Sequence, residues 1–317
     1  MPFNSIISRS DAEALIPEDA SREILKNVPA NSAVLTMGRE LSAMPRNKRR
    51  LPILNLLPTA YFVDGDTGLK QTTKPDWANK YMYAEEIACI VPIPEAVLDD
   101  TDYDIWGETR PLIEEAFGKA IDAAVFHGTN KPTDWPDDIA TAAAAAGNSV
   151  DLSVQIAASE DLYDVELGEN GVISKLEADG YMATGHVGAI TMRGKLRGVR
   201  DSQGQPIFKR SMQDGTNYDL DGAPMMFPLN GALDAASVLQ ITGDWSKLVY
   251  SFRQDMTYKF LDQAVIQDSA GNIIYNLAQQ DMVALRCVMR LGVFVLNPIN
   301  RVQETEADRY PFAILVP

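Results

Sequence analysis

The sequence predicts an α+β protein with one long helix, several strands and an extended excursion that cannot support itself. Three observations carry this. Apolar residues at 112, 113, 116, 117, 120, 121, 124 and 125 form a stripe along one face of a single helix. Alternation over 81–94 and 247–259 marks strands. Residues 51–80 combine an apolar start, prolines at 52 and 58 and the turn Asp64-Gly65-Asp66-Thr67-Gly68, the pattern of a long hairpin with few core residues. Such a hairpin is marginal in water unless something covers it, and another subunit is one candidate cover.

The elements follow in chain order. The first fifty residues mix short apolar pieces with prolines and end in Arg46-Asn47-Lys48-Arg49-Arg50, which reads as an arm. Within it Ser21 is a plausible N-cap for a short helix carrying Ile24, Leu25 and Val28, with Pro17 as a break. The strand over 81–94 is expected to turn Tyr81, Tyr83, Ile87, Val91 and Ile93 the same way. The long helix starts at Leu112 or nearer Asp104; in the second case Pro111 kinks it or marks its first turn. Gly128 suits a left-handed C-terminal cap. Residues 131–150, with Pro132, Pro136 and a run of alanines, read as a weakly ordered connector. Beyond them 159–179 reads as helix interrupted at 168–171, 188–191 as a short strand, 276–286 as a helix and 288–296 as the closing strand. There is no internal repeat.

Composition bounds the function. With 317 residues and 46% hydrophobic content the chain can bury a core, so disorder is excluded as the default. The length suits two domains or one elaborate domain with extensions. Its 28 Lys+Arg against 44 Asp+Glu give a formal charge of -16, which argues against a general nucleic-acid binder. Cys89 and Cys287 each sit in an apolar run and read as buried free thiols in preference to a disulfide. No stretch approaches the roughly 18 apolar residues of a membrane span, and the N-terminal residues lack a signal-peptide pattern. A soluble protein of a reducing cytoplasm, with no membrane partner, is expected.

The chain has no G-x-S-x-G, no G-x-x-x-x-G-K-[ST], no G-x-G-x-x-G and no H-E-x-x-H. His127 and His186 are the only histidines, and each reads as a surface or helix-end residue. Asp100-x-Asp102-x-Asp104 resembles the start of a calcium loop but has Ile105 where Gly is needed and Pro111 where Glu is needed. Asn217-x-Asp219-x-Asp221-Gly222 comes closer, yet Pro228 replaces the bidentate Glu, so a polar turn is the favoured reading. No catalytic residue, cofactor or metal is expected. Arg46, Lys48, Arg49 and Arg50 could meet a neighbouring subunit, form a solvated face, or bind nucleic acid. Arg193, Lys195, Arg197 and Arg200, around a helix, favour a solvated face.

In this order the parts resemble the major capsid proteins of tailed bacteriophages, the Hong Kong 97 fold. The stretches that carry the resemblance are Leu15-Ile16-Pro17-Glu18 with Arg22-Glu23-Ile24-Leu25, the run from Tyr83 through Pro94 to Asp100, and the helical stripe ending in Phe126-His127-Gly128-Thr129. Leu220-Asp221-Gly222-Ala223-Pro224-Met225 with Gly243-Asp244-Trp245, and the final segment from Val283 to Pro298, complete it. Each motif is weak alone; the collinear order is what is specific. The resemblance implies an N-arm (1–48), an E-loop hairpin (49–82), a P-domain (83–149) with a spine helix over about 104–127, an A-domain (150–255), and a return to the P-domain with the C-terminal strand (256–317).

It further implies a structural, non-enzymatic subunit that self-assembles into pentamers and hexamers of an icosahedral head enclosing double-stranded DNA, bound without sequence specificity. An encapsulin-type nanocompartment shell is the alternative. Other implied partners are a portal, a possible decoration protein and, because the arm begins almost at Met1, a separate scaffolding protein. The location is the virion, with assembly in the host cytoplasm. Arg46, Lys48, Arg49, Arg50, Lys70 and Lys74 are the candidate intersubunit contacts, and Gly222 and Pro224 form an A-domain turn. Some members cross-link an E-loop Lys to an Asn with the help of a Glu. Lys70 or Lys74 could serve, but the Asn position falls at Asp281 and the Glu position at Val288, so no such bond is expected.

Overall fold

The computed structural model describes residues 32–63, 68–100, 104–157, 161–200, 203–205, 218–268 and 270–317. The arm helix expected after Ser21, the turn residues 64–67, and Asp102 and Asn217 of the two calcium-like patterns lie outside the described residues. The chain forms α1 (Ala33–Met37), β1 (Arg39–Glu40), β2 (Lys48–Leu56), β3 (Asp76–Tyr83), β4 (Glu85–Pro94), α2 (Glu95–Asp100) and the long helix α3 (Ile105–His127). There follow α4 (Ile139–Ala145), β5 (Ser149–Asp151), α5 (Leu152–Ala157), α6 (Leu162–Leu167), α7 (Val172–Ala178), β6 (Gly185–Gly188) and α8 (Ile190–Gly198). Next come β7 (Tyr218–Leu220), β8 (Ala223–Met226), β9 (Gln240–Gly243), β10 (Leu248–Leu261), β11 (Val265–Gln267), β12 (Ile273–Asn276), β13 (Met282–Val295) and β14 (Phe312–Val316).

Among the described residues the strands form a four-stranded sheet, β1-β10-β13-β4, and a six-stranded sheet, β5-β14-β9-β6-β8-β7. The hairpins β2-β3 and β11-β12 stand apart from both. Helix α3 covers the four-stranded sheet: Ile113, Phe117, Ile121 and Phe126 share one core with Leu285, Cys287, Leu291, Trp245 and Phe312. A second core, with Val165, Leu176, Met192 and Leu315, packs helices on the six-stranded sheet. The C-terminal strand β14 lies in this second sheet, between β5 and β9.

Helix α3 starts where an N-cap permits it. The Asp104 carboxylate accepts from Gly107 N at 3.0 Å, Pro111 lies inside the helix, and Gly128 closes it with φ +68. Its buried Asp122 holds the preceding chain. That carboxylate accepts hydrogen bonds from Ala33 N at 2.9 Å, Val34 N at 3.1 Å, Asn230 Nδ2 at 2.7 Å and the Ser32 hydroxyl. Gly118 permits the approach, since a Cβ there would sit 3.2 Å from Ser32 N.

Several expectations are corrected. Residues 276–286 are not a helix: β12 ends at Asn276 and β13 begins at Met282. Strand β13 sets Leu285, Cys287, Met289, Leu291 and Val293 against the core, but Met282, Ala284 and Val288 on its other phase are apolar too, so the alternation that marks a strand is blurred. It is also not the closing strand, which is β14. The single strand over 81–94 is two strands, β3 paired with β2 and β4 paired with β13. The side-chain phase changes between them: Met82 and Ala84 are buried while Tyr81 is exposed.

The connector over 131–150 contains α4, capped by Asp138 and with Ile139 and Ala143 fully buried. The short strand falls at Gly185–Gly188, and α8 occupies the positions after it. His186, on the inner strand β6, is fully buried, and its ring nitrogens lie 2.9 Å from Thr242 Oγ1 and 3.0 Å from Leu220 O. Cys89 and Cys287 are free and face each other in register; Cys287 is buried, but Cys89 is only partly so.

Candidate assembly surfaces

The β2-β3 hairpin projects as the sequence suggests, and its side chains explain what it needs. Phe62 is fully exposed, Leu69 is 90% exposed and Trp77 63%. Large apolar side chains this exposed on a two-stranded excursion mark an interaction face. The subunit tethers the hairpin at its base, where Met82 is buried with Val249, and along its length. Ile299 N donates to Leu54 O at 3.3 Å, the Arg301 guanidinium to Pro58 O at 2.5 Å, and Lys80 pairs with Glu306 at 2.8 Å. The segment presenting these groups is organised by Arg309, 3% exposed, whose guanidinium donates to the carbonyls of Asn297, Pro298, Gln303 and Glu304.

The basic residues at the hairpin base separate into two kinds. Arg49 is used inside the subunit, donating to Ser251 Oγ at 3.2 Å, Ser42 Oγ at 3.1 Å and Ala43 O at 3.0 Å. Lys48 lies over the Tyr81 ring at 3.9 Å and the Tyr83 ring at 5.1 Å. Arg46 and Arg50 remain exposed, as do Lys70 and Lys74 in the outer part of the hairpin. The structure therefore does not bring the six together as one patch.

Asp221 and Gly222 both have positive φ, 50 and 73, and join β7 to β8 as a two-residue hairpin turn. Pro224 follows in β8. Sequence reasoning missed a second apolar projection, the β11-β12 hairpin, on which Val265, Ile273 and Ile274 are exposed. Its signal was available as two short β-branched runs around Asp268 and Gly271, the latter with φ +86.

Groups that could do chemistry are placed elsewhere. His127 accepts from Asp234 N at 3.1 Å, and burial pushes its imidazole below the ordinary range. Burial does the same to His186. Among the described residues no three His, Cys, Asp or Glu side chains gather as a metal would require, and no helix is long and apolar enough to cross a membrane.

The model of the phage capsid family matches residues 12–300. The chain belongs to that family. It is 26% identical over 321 residues to the major capsid protein of Staphylococcus phage 80alpha, covering 99% of this chain and 88% of that protein. A solved structure from Microbacterium phage Oxtober96 shares 35% identity and a TM-score of 0.84, covering 99% of this chain and all of that one. One from Mycobacterium phage Cain shares 32% identity and a TM-score of 0.81, with 99% of each chain covered. The fold is thus the Hong Kong 97 type, and the chain is a phage major capsid protein, a structural component of the virion that associates with itself. The encapsulin alternative receives no support from these relatives.

Proposed function

We propose that copies of this chain close into pentamers and hexamers of an icosahedral phage head around double-stranded DNA. The observation that carries this is the exposed apolar face of the β2-β3 hairpin, which only a neighbouring surface can remove from water. Heterologous contacts repeated around closed rings turn such excursions into a shell. In this reading residues 1–48 serve as the N-arm, 49–82 as the E-loop, 83–149 with 256–317 as the P-domain, and 150–255 as the A-domain, whose sheet the chain's last strand completes.

Arg46, Arg50, Lys70 and Lys74 meet neighbouring subunits, and the net charge of -16 keeps packaged DNA from adhering to the wall. A portal, a separate scaffolding protein and a decoration protein are the expected further partners, and assembly takes place in the host cytoplasm, without catalysis by this chain. Sedimentation and negative-stain microscopy of the expressed chain test the reading. The native chain forms closed shells, whereas a Phe62→Asp, Leu69→Asp variant with an unchanged circular dichroism spectrum stays as free subunits. Shells formed equally well by the double variant would remove the hairpin's apolar face as their cause.

A further inference from the structure

Strand β4 is the edge of its sheet, paired among the described residues with β13 alone. Its register on β13 runs without a shift from Leu291↔Glu85 to Met282↔Pro94, and midway along it Cys287 stands directly opposite Cys89. The chain's only two cysteines are thus cross-strand neighbours on one face of the sheet. A slip of one residue would leave their side chains on opposite faces. The face they share is the covered one: Cys287 is buried in the core beneath α3, and the partly buried Cys89 packs against that core.

Directly opposite residues of an antiparallel pair have Cα atoms about 4.5–5.5 Å apart, inside the roughly 4.4–6.8 Å that a disulfide spans. Their Cβ atoms stand about 4.5–5.5 Å apart and must come within about 4.5 Å, so closing the bond draws the strands slightly together. The side chains already lean across the ladder. Burial raises the Cys89 thiol, and the Cys287 main-chain N–H offsets part of that rise. Burial likewise pushes the Cys287 thiol up to about 11, with the charges of Cys89 and of Glu114 on α3 adding to the effect. Both thiols are therefore protonated near neutrality, and the less covered Cys89 is the one an oxidant reaches first.

We propose that Cys89 and Cys287 form an oxidation site that closes into a cross-strand disulfide, stapling the edge strand β4 to β13 when the protein meets a low-molecular-weight disulfide outside a reducing compartment. The Cys89 thiolate attacks one sulfur of the reagent, forms a mixed disulfide and expels one reagent thiolate. The Cys287 thiolate then attacks the Cys89 sulfur and expels the second. Two protein thiols are oxidised, one reagent disulfide is reduced to two thiols, and the two protons pass to them. In the unfolded chain the link closes a loop of about two hundred residues, which favours the native state. The closure it demands of the ladder leaves the bond strained, so a dithiol reduces it readily.

The native full-length subunit is incubated with oxidised glutathione, quenched with acid and read by free-thiol titration, intact mass and a non-reducing peptide map. Both thiols disappear together, the mass falls by about 2 Da with no adduct, one peptide pair joins Cys89 to Cys287, and dithiothreitol reverses the change. The unfolding constant of the oxidised subunit in urea drops at least tenfold. Cys287→Ser stops at a glutathione adduct on Cys89, which identifies the first step.

The native chain decides the matter without the variant. A native subunit that stops at the adduct, that links to other copies through disulfides, or that keeps both thiols while a cysteine-containing peptide in the same tube is consumed overturns the proposal. An oxidised subunit that unfolds at the same urea concentration as the reduced one refutes the staple.

Discussion

Glu166, on α6, is fully buried against the six-stranded sheet, and its carboxyl is bonded on one side only. Gln240 Nε2 donates to Glu166 Oε2 at 2.8 Å and lies 3.1 Å from Thr242 Oγ1, which in turn meets His186 Nδ1 at 2.9 Å. Glu166 Oε1 and Gln240 Oε1 lack partners. A cluster with two unmatched acceptors favours a protonated acid, and burial pushes Glu166 up to about 8. In the unfolded chain the same group titrates near ~4.3.

Between those two values the native state holds a proton that the unfolded state has released. Stability therefore falls as pH rises through this window, and levels off above it. At about 1.4 kcal/mol per pH unit the full loss is at most about 5 kcal/mol. Glu166→Gln keeps the shape, keeps an acceptor for Gln240 Nε2 and cannot ionise.

Urea unfolding of dissociated subunits at pH 7 to 9.5 samples the upper end of this window, about 1.4 kcal/mol of the loss between pH 7 and 8, in a range in which His186, lowered by burial, stays neutral. The variant should be the more stable at pH 9, and the gap should shrink as pH falls. Parallel pH profiles for the native chain and Glu166→Gln would refute the assignment of the proton to this site.

Other expectations follow from the same contacts. Asp122→Ala orphans four donors, two of them backbone amides of α1, at about 1 kcal/mol each, so subunit stability should drop by ~4 kcal/mol in urea titration; a loss under 1 kcal/mol would mean that α1 is held by apolar packing alone. Boiled, denatured shells should run as monomer on a gel. Asp281 offers a carboxylate where amide displacement needs an Asn, and buried Val288 carries no acid, so a ladder of bands would show that other residues form the bond.

What could be read in the sequence depended on whether a segment's environment is uniform along its length. The 112–125 stripe is legible because α3 has one covered side, and its caps, Asp104 and Gly128, act on their own backbone. The β2-β3 excursion is legible because hairpins are local, and its exposed Phe62 and Leu69 follow from there being too little chain around them to form a core. By contrast β13 was misread at its start, where apolar Met282 and Ala284 lie on the phase opposite Val283 and Leu285 and blur the alternation. Strands β3 and β4 merged into one because the phase change at Ala84 is set by different pairing partners, β2 and β13. Asp122 sat unremarked within the helical stripe; its role depends on Ser32, 90 residues away.

The sequence by itself determined the succession of parts, the helix that organises them and the surplus of acid over base, because these depend on spacing, capping and composition. Only the tertiary structure decided which of the basic residues were already engaged, how Glu166 and His186 came to share a buried cluster, and which edge of β4 was left open. Those outcomes depend on register between segments far apart in the chain, and a one-residue change of register exchanges the inward for the outward groups.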